Sequence, residues 1–84
     1  MDQNKARGGN EYSVALFEQL KSLKNQKVKL YLKPGASKYG NILIGRLNHV
    51  GDSNAVTGKP WVIIDFGESE SFDIDKIVKV EPEN

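Results

Sequence analysis

Few side chains in this sequence could do chemistry, and they fall in clusters. The only histidine, His49, lies near the end of the apolar run "ILIGRLNHV". Histidine titrates near neutral pH and can serve as acid, base or pH sensor. No second histidine exists, and no obvious nucleophile or carboxylate partners His49 in sequence, so it reads as a partly exposed residue at a strand end. Five carboxylates, Asp65, Glu68, Glu70, Asp73 and Asp75, crowd one segment. Their oxygens suit a divalent cation, but the spacing is not that of an EF-hand loop, and a solvated acidic face is the plainer reading. There are no cysteines, which excludes disulfides and thiolate metal sites. No metal or other cofactor is expected. Nothing resembles a nucleophile elbow, a P-loop or a dinucleotide fingerprint, and the glycines of "GRLNHVG" have the wrong spacing for one. The chain is not expected to be an enzyme.

Binding is the chemistry left. Lys27, Lys29, Tyr31 and Lys33 alternate in "KVKLYLK" as a basic strip with one aromatic ring. Such a strip can track a phosphate backbone and stack a base. Lysines on an edge strand also guard against aggregation. Trp61 follows Pro60 at the start of an apolar run, where a lone tryptophan serves core, interface or base stacking. The loop "GDSNAVTGKP" offers Asp52, Asn54 and Lys59. Net charge is +1, but residues 1–61 carry +6 and residues 62–84 carry −5. This asymmetry suits nucleic acid on one surface, head-to-tail contact between copies, or ordinary solvated charge.

These residues need a scaffold. Eighty-four residues make one small domain of marginal stability as a monomer, so oligomerisation is the expected support. Residues 1–10 read as a flexible polar tail, 11–81 as a single domain and 82–84 as a second tail. No apolar run approaches the ~20 residues that span a bilayer. The N-terminus lacks the apolar core of a signal peptide, so a cytoplasmic protein without membrane contact is expected.

"EYSVALFEQLKSLKNQ" places Tyr12, Leu16, Leu20 and Leu23 on one helical stripe, with Phe17 beside it. Asn10 can cap the start, and Asn25 is a left-handed stop. "KVKLYLK" switches to period two, with Val28, Leu30 and Leu32 facing inward. Pro34 and Gly35 then make a turn. "YGNILIGRLNHV" is the longest strand and is apolar on both faces, and Gly45 marks a bend or a close backbone approach. "WVIIDF", "SFDI" and "IVKV" are three more strands, with "DIDK" the length of one 3₁₀ turn. The order predicts a mainly β fold: an N-terminal α-helix followed by a five-stranded, strongly bent antiparallel SH3-like barrel.

Helix plus five-stranded barrel is the order of Sm-like proteins, the group that includes Sm, LSm and bacterial Hfq. "LKSLKNQKVKLYLKPG" resembles the family's entry, a short helix running into N-x-x-V-x-V-x-L-K-x-G, with Asn25, Val28, Leu30, Leu32, Lys33 and Gly35 in those places. "GRLNHV" resembles part of the first Sm motif through Gly45, Leu47 and Val50. "FDIDKIVKV" is similar to the short strand, 3₁₀ turn and last strand of the second motif. The resemblance runs from about Tyr12 to Glu81. It implies a homo-oligomeric ring, pentamer to heptamer in size, closed by pairing the fourth strand of one copy with the fifth of the next. Phe72, Ile74, Ile77, Val78 and Val80 lie on those edge strands. It also implies single-stranded RNA as partner, with Asp52, Asn54, Lys59, Asn48, His49 and Lys76 at the contact and Lys27, Lys29, Tyr31 and Lys33 as a secondary basic surface. The chain departs from the pattern in two places. Its loop is longer than the family's D-x-x-M-N, and Asp73, Asp75 and Lys76 stand where an Arg-Gly pair or Y-K-H is usual. The alternative is an oligomeric protein-interaction or scaffolding module that kept the fold and lost the RNA site.

Overall fold

The computed structural model describes residues 12–83. The helix α1 spans Val14–Ser22, and Ser13 caps it: its Oγ accepts from the Leu16 N–H at 3.1 Å. The expected cap Asn10 lies outside the described residues. Helix α1 buries Leu20 and packs Leu16, Phe17 and Leu23 against the core. Tyr12 precedes the helix and stays 39% exposed, edge-on to Phe17, so it is not part of the stripe. Asn25 takes φ 71°, the left-handed stop its side chain tolerates. Its N–H donates to Leu47 O, and the Leu47 N–H donates to Gln26 O, stitching the helix exit to the sheet.

Five strands follow: β1 (Lys27–Leu32), β2 (Ile42–Gly51), β3 (Trp61–Asp65), β4 (Ser69–Asp73) and β5 (Ile77–Pro82). A 3₁₀ turn, Ile74–Lys76, links the last two. Residues 39–41 lie outside the strand, so β2 starts three positions later than the stretch "YGNILIGRLNHV" suggests. Pro82, read above as tail, belongs to β5 and pairs with Val28 of β1. All pairings are antiparallel, in the order β4-β3-β2-β1-β5.

The sheet is not closed into a barrel: β4 and β5 are its two edges and do not pair with each other. It is nevertheless strongly curled. Opposite edges of a flat five-stranded sheet stand roughly 19 Å apart, whereas three residues of 3₁₀ helix advance only ~6 Å. The Ile74–Lys76 turn joins those edges, so curl must bring them together at that end.

The concave side holds the core: Leu20, Val28, Leu30, Leu32, Leu43, Leu47, Val62, Ile64, Phe72, Ile74, Ile77 and Val80 are buried, with no buried polar side chain among the described residues. Among the described residues, no layer covers the convex side. Ile42 and Ile44 are therefore 51% and 45% exposed, and β2 is buried on one face only, contrary to its two-sided apolar pattern. Gly45 is a close approach: a Cβ there would overlap the Asp65 carbonyl and lie 2.9 Å from Phe66 Cα. The register break in β2 falls at Asn48, between Leu47↔Ile64 and His49↔Ile63. No described helix is long and apolar enough to cross a membrane.

Candidate nucleic-acid interface

The loop between β2 and β3 is closed by its own asparagine. Asn54 Oδ1 accepts from the Val56 N–H at 2.7 Å and the Thr57 N–H at 3.4 Å. The Asn54 N–H donates to Lys59 O, and the Gly58 N–H to Asn54 O. The side-chain amide mimics a turn of backbone, as asparagine does well. The loop is then pinned to the strand end and 3₁₀ turn opposite it. Asn54 Nδ2 donates to Asp73 Oδ1 at 3.1 Å, Lys59 Nζ meets Asp75 Oδ2 at 2.6 Å, and the Ile74 N–H donates to Pro60 O at 2.8 Å.

The structure thus brings Asn54, Lys59 and Lys76 to one end of the sheet, with Asp73 and Asp75 between them. Asp52 is exposed at the start of the same loop. The hydrogen bond from Lys59 holds the Asp75 carboxyl below the usual carboxylate range; burial opposes this, while the charges of Lys59, Lys76 and Lys33 reinforce it. Asp75 Oδ1 is buried without a hydrogen-bond partner. Because the folded-state value is depressed, the pair stabilises the fold above the ordinary aspartate range and stops doing so as pH falls through the depressed value. Asp75→Asn is expected to cost about 1 kcal/mol at neutral pH, allowing for screening of a partly exposed pair. Urea unfolding from neutral to strongly acidic pH should show the gap between variant and parent closing only on the acid side.

His49 lies apart, on the convex face, with its ring 4.9 Å from that of Trp61. Asn48 is exposed at the register break beside it. Comparison of the chain with protein-family models, curated proteins and solved structures finds no match. The site therefore rests on its own geometry.

The four members of the basic strip separate. Lys27, Lys29 and Tyr31 sit on the convex face of β1. Tyr31 donates its hydroxyl to Glu81 Oε1 at 3.0 Å, and Lys79 Nζ lies 4.7 Å from its ring centroid. Lys79 joins from β5, a contact no local pattern in β1 could reveal. Lys33 has left the strand, and its N–H donates to Lys76 O at 2.9 Å. The two lysines border a cleft of about 330 Å³ that is also lined by Pro34, Gly35, Ala36 and Asp75. Sequence reading grouped Lys33 with Tyr31, but the turn at Pro34 sends it to the other group.

Among the described residues, no three carboxylate or imidazole groups gather as metal ligands do. Each acidic side chain of the crowded segment has its own donor. Asp65 accepts from the Gly67 N–H, Glu68 from the Tyr39 hydroxyl and Glu70 from the Ser37 hydroxyl. The edge-strand residues are placed as follows. Phe72, Ile74, Ile77 and Val80 lie in this chain's own core, and Val78 is 57% exposed. Of these five only Val78 is exposed, and the outer backbone edges of β4 and β5 form the two rims of the sheet.

Proposed function

We propose that the chain is a subunit of a homo-oligomeric Sm-like ring that binds single-stranded RNA where the β1–β2 turn meets the 3₁₀ turn. The observation that carries this reading is the cleft of about 330 Å³ flanked by Lys33 and Lys76. Lys33 and Lys76 set two cations against the one carboxylate of Asp75, which Lys59 already pairs, and that balance favours a phosphate. The two edge strands, β4 and β5, support the ring. β4 of one copy pairing with β5 of the next would satisfy their N–H and C=O groups and remove an aggregation hazard. Such a head-to-tail contact closes if its rotation permits.

Binding of short U-rich and A-rich oligoribonucleotides should be measurable at low salt and weaken steeply as salt rises. Lys33 and Lys76 are exposed, so Lys33→Glu with Lys76→Glu should leave the fold intact. It should lower affinity by about tenfold or more and flatten the salt slope by about 0.7 per lost phosphate contact. Absence of binding by the parent at low salt ends the RNA reading. Light scattering that returns a 9.4 kDa monomer ends the ring.

A second reading has an observation of its own. Lys59 is neutralised by Asp75, and Asn54 is committed to its loop and to Asp73. An RNA would have to compete with those bonds. A protein-interaction module would keep them, and its partner would survive nuclease treatment in a pull-down.

A further inference from the structure

The RNA reading leaves the convex face of the sheet unused. Across it, cross-strand register sets Lys27, Arg46, Asp65 and Ser69 in one row. Lys29 and Ile44 share the next row, and Tyr31 and Ile42 the one after. Beyond Asp65 the chain turns through Gly67 and Glu68. Ile42 and Ile44 are thus two half-exposed aliphatic side chains beside a row in which Lys27 and Arg46 lie on one side and Asp65 on the other, with Glu81 pairing Lys29 at the outer rim. Single exposed apolar residues need no explanation, but a contiguous patch rimmed by charge marks a contact surface.

We propose that this face binds the same face of a second copy. The argument is charge complementarity of a particular kind. A two-fold contact uses one patch twice, so the patch must complement itself. A basic side and an acidic side next to an apolar pair do so for one orientation only. The axis lies in the interface and runs along the seam between β2 and β3. It sets Arg46 of each copy over the mate's Asp65 and keeps the isoleucines together. An axis across the strands would oppose like charges. The patch is small, so the association is weak and salt-sensitive, at the low end for specific interfaces. It is independent of edge pairing, which uses backbone on β4 and β5. A ring formed through those edges would be doubled by the face contact, and without a ring the face alone gives a dimer.

Sedimentation of the full chain at low salt, over a concentration series raised until the parental mass is constant, provides the test. Ile44→Glu should lower the mass about twofold, because a two-fold contact joins two bodies. Arg46→Glu alone and Asp65→Lys alone should each do the same. Mixed in equal amounts, those two variants should re-associate, since each then meets the opposite charge. Circular dichroism checks that each variant is folded, and Ile42→Lys stands in for any that is not. Folded variants that all keep the parental mass overturn the proposal, as does a mixture that stays apart. Loss of RNA binding or of the ring leaves these masses related by the same factor, so the two readings fail separately.

Discussion

Gly45→Val is expected to abolish the native fold at ordinary temperature. The glycine is buried in β2, and a Cβ there would overlap the Asp65 carbonyl oxygen and sit 2.8 Å from its carbon. These are backbone atoms at the end of β3, held by the Arg46↔Asp65 pairing. No rotamer change can relieve the overlap. Overpacking of side chains costs about 1–3 kcal/mol, and a clash between backbone atoms of paired strands costs more. An 84-residue domain has roughly 4–13 kcal/mol in total. Gly67→Ala is the control. Gly67 has φ 103° and open space around it, so alanine there adds backbone strain of about 1–2 kcal/mol without a clash. Chemical denaturation of both variants should find Gly67→Ala folded and Gly45→Val unfolded or nearly so.

The second large effect is at Leu47. Its side chain is fully buried, and its backbone exchanges hydrogen bonds with Asn25 and Gln26. It sits where the helix exit, β2 and β3 converge, just before the register break. Leu47→Ala removes packing from three elements that are each pinned by backbone bonds, so collapse around the cavity is limited. The expected loss is about 3–5 kcal/mol, the upper part of the range for such truncations. Leu47→Met should cost less than about 1.5 kcal/mol, because the volume is kept. A shift of the urea midpoint with an unchanged slope would attribute the loss to stability alone.

The strands of this fold were largely legible because period-two alternation in "KVKLYLK" is a local signal. Val28, Leu30 and Leu32 face inward as that period requires. Asn25 and Gly35 hold positive φ, which the short amide of the one and the missing Cβ of the other allow. Alternation failed where it had to report on distant chain. Ile42 and Ile44 look like core by composition, yet helix α1 packs on the concave side and no described residue covers the convex one. Residues 39–41 read as the start of the long strand but lie outside it, with the Tyr39 hydroxyl on Glu68. "EPEN" looks like tail, yet the Glu83 N–H donates to Lys27 O because β1 supplies an edge that no nearby residue announces.

The candidate site was legible in its members and not in their bonds. Asp52, Asn54, Lys59 and Lys76 do share one end of the sheet. That Asn54 and Lys59 are held by Asp73 and Asp75 depends on the β3–β4 register, which continues past Trp61↔Asp73 to set Pro60 opposite Ile74 and Lys59 beside Asp75. Lys33 changes neighbours at Pro34, so it joins Lys76 and leaves Tyr31 to Lys79.

The pairing of β1 with β5 bears on how the protein is made. β1 is the first strand in chain order and β5 the last, and they lie side by side. During synthesis β1 can zip to β2 early, but its other edge stays open until every other strand has emerged. Long-range closure of this kind is slow. An unpaired, alternating strand is sticky during the wait. Lys27 and Lys29 on that strand would then serve the newborn chain as much as the finished one, keeping neighbouring nascent copies apart until β5 arrives.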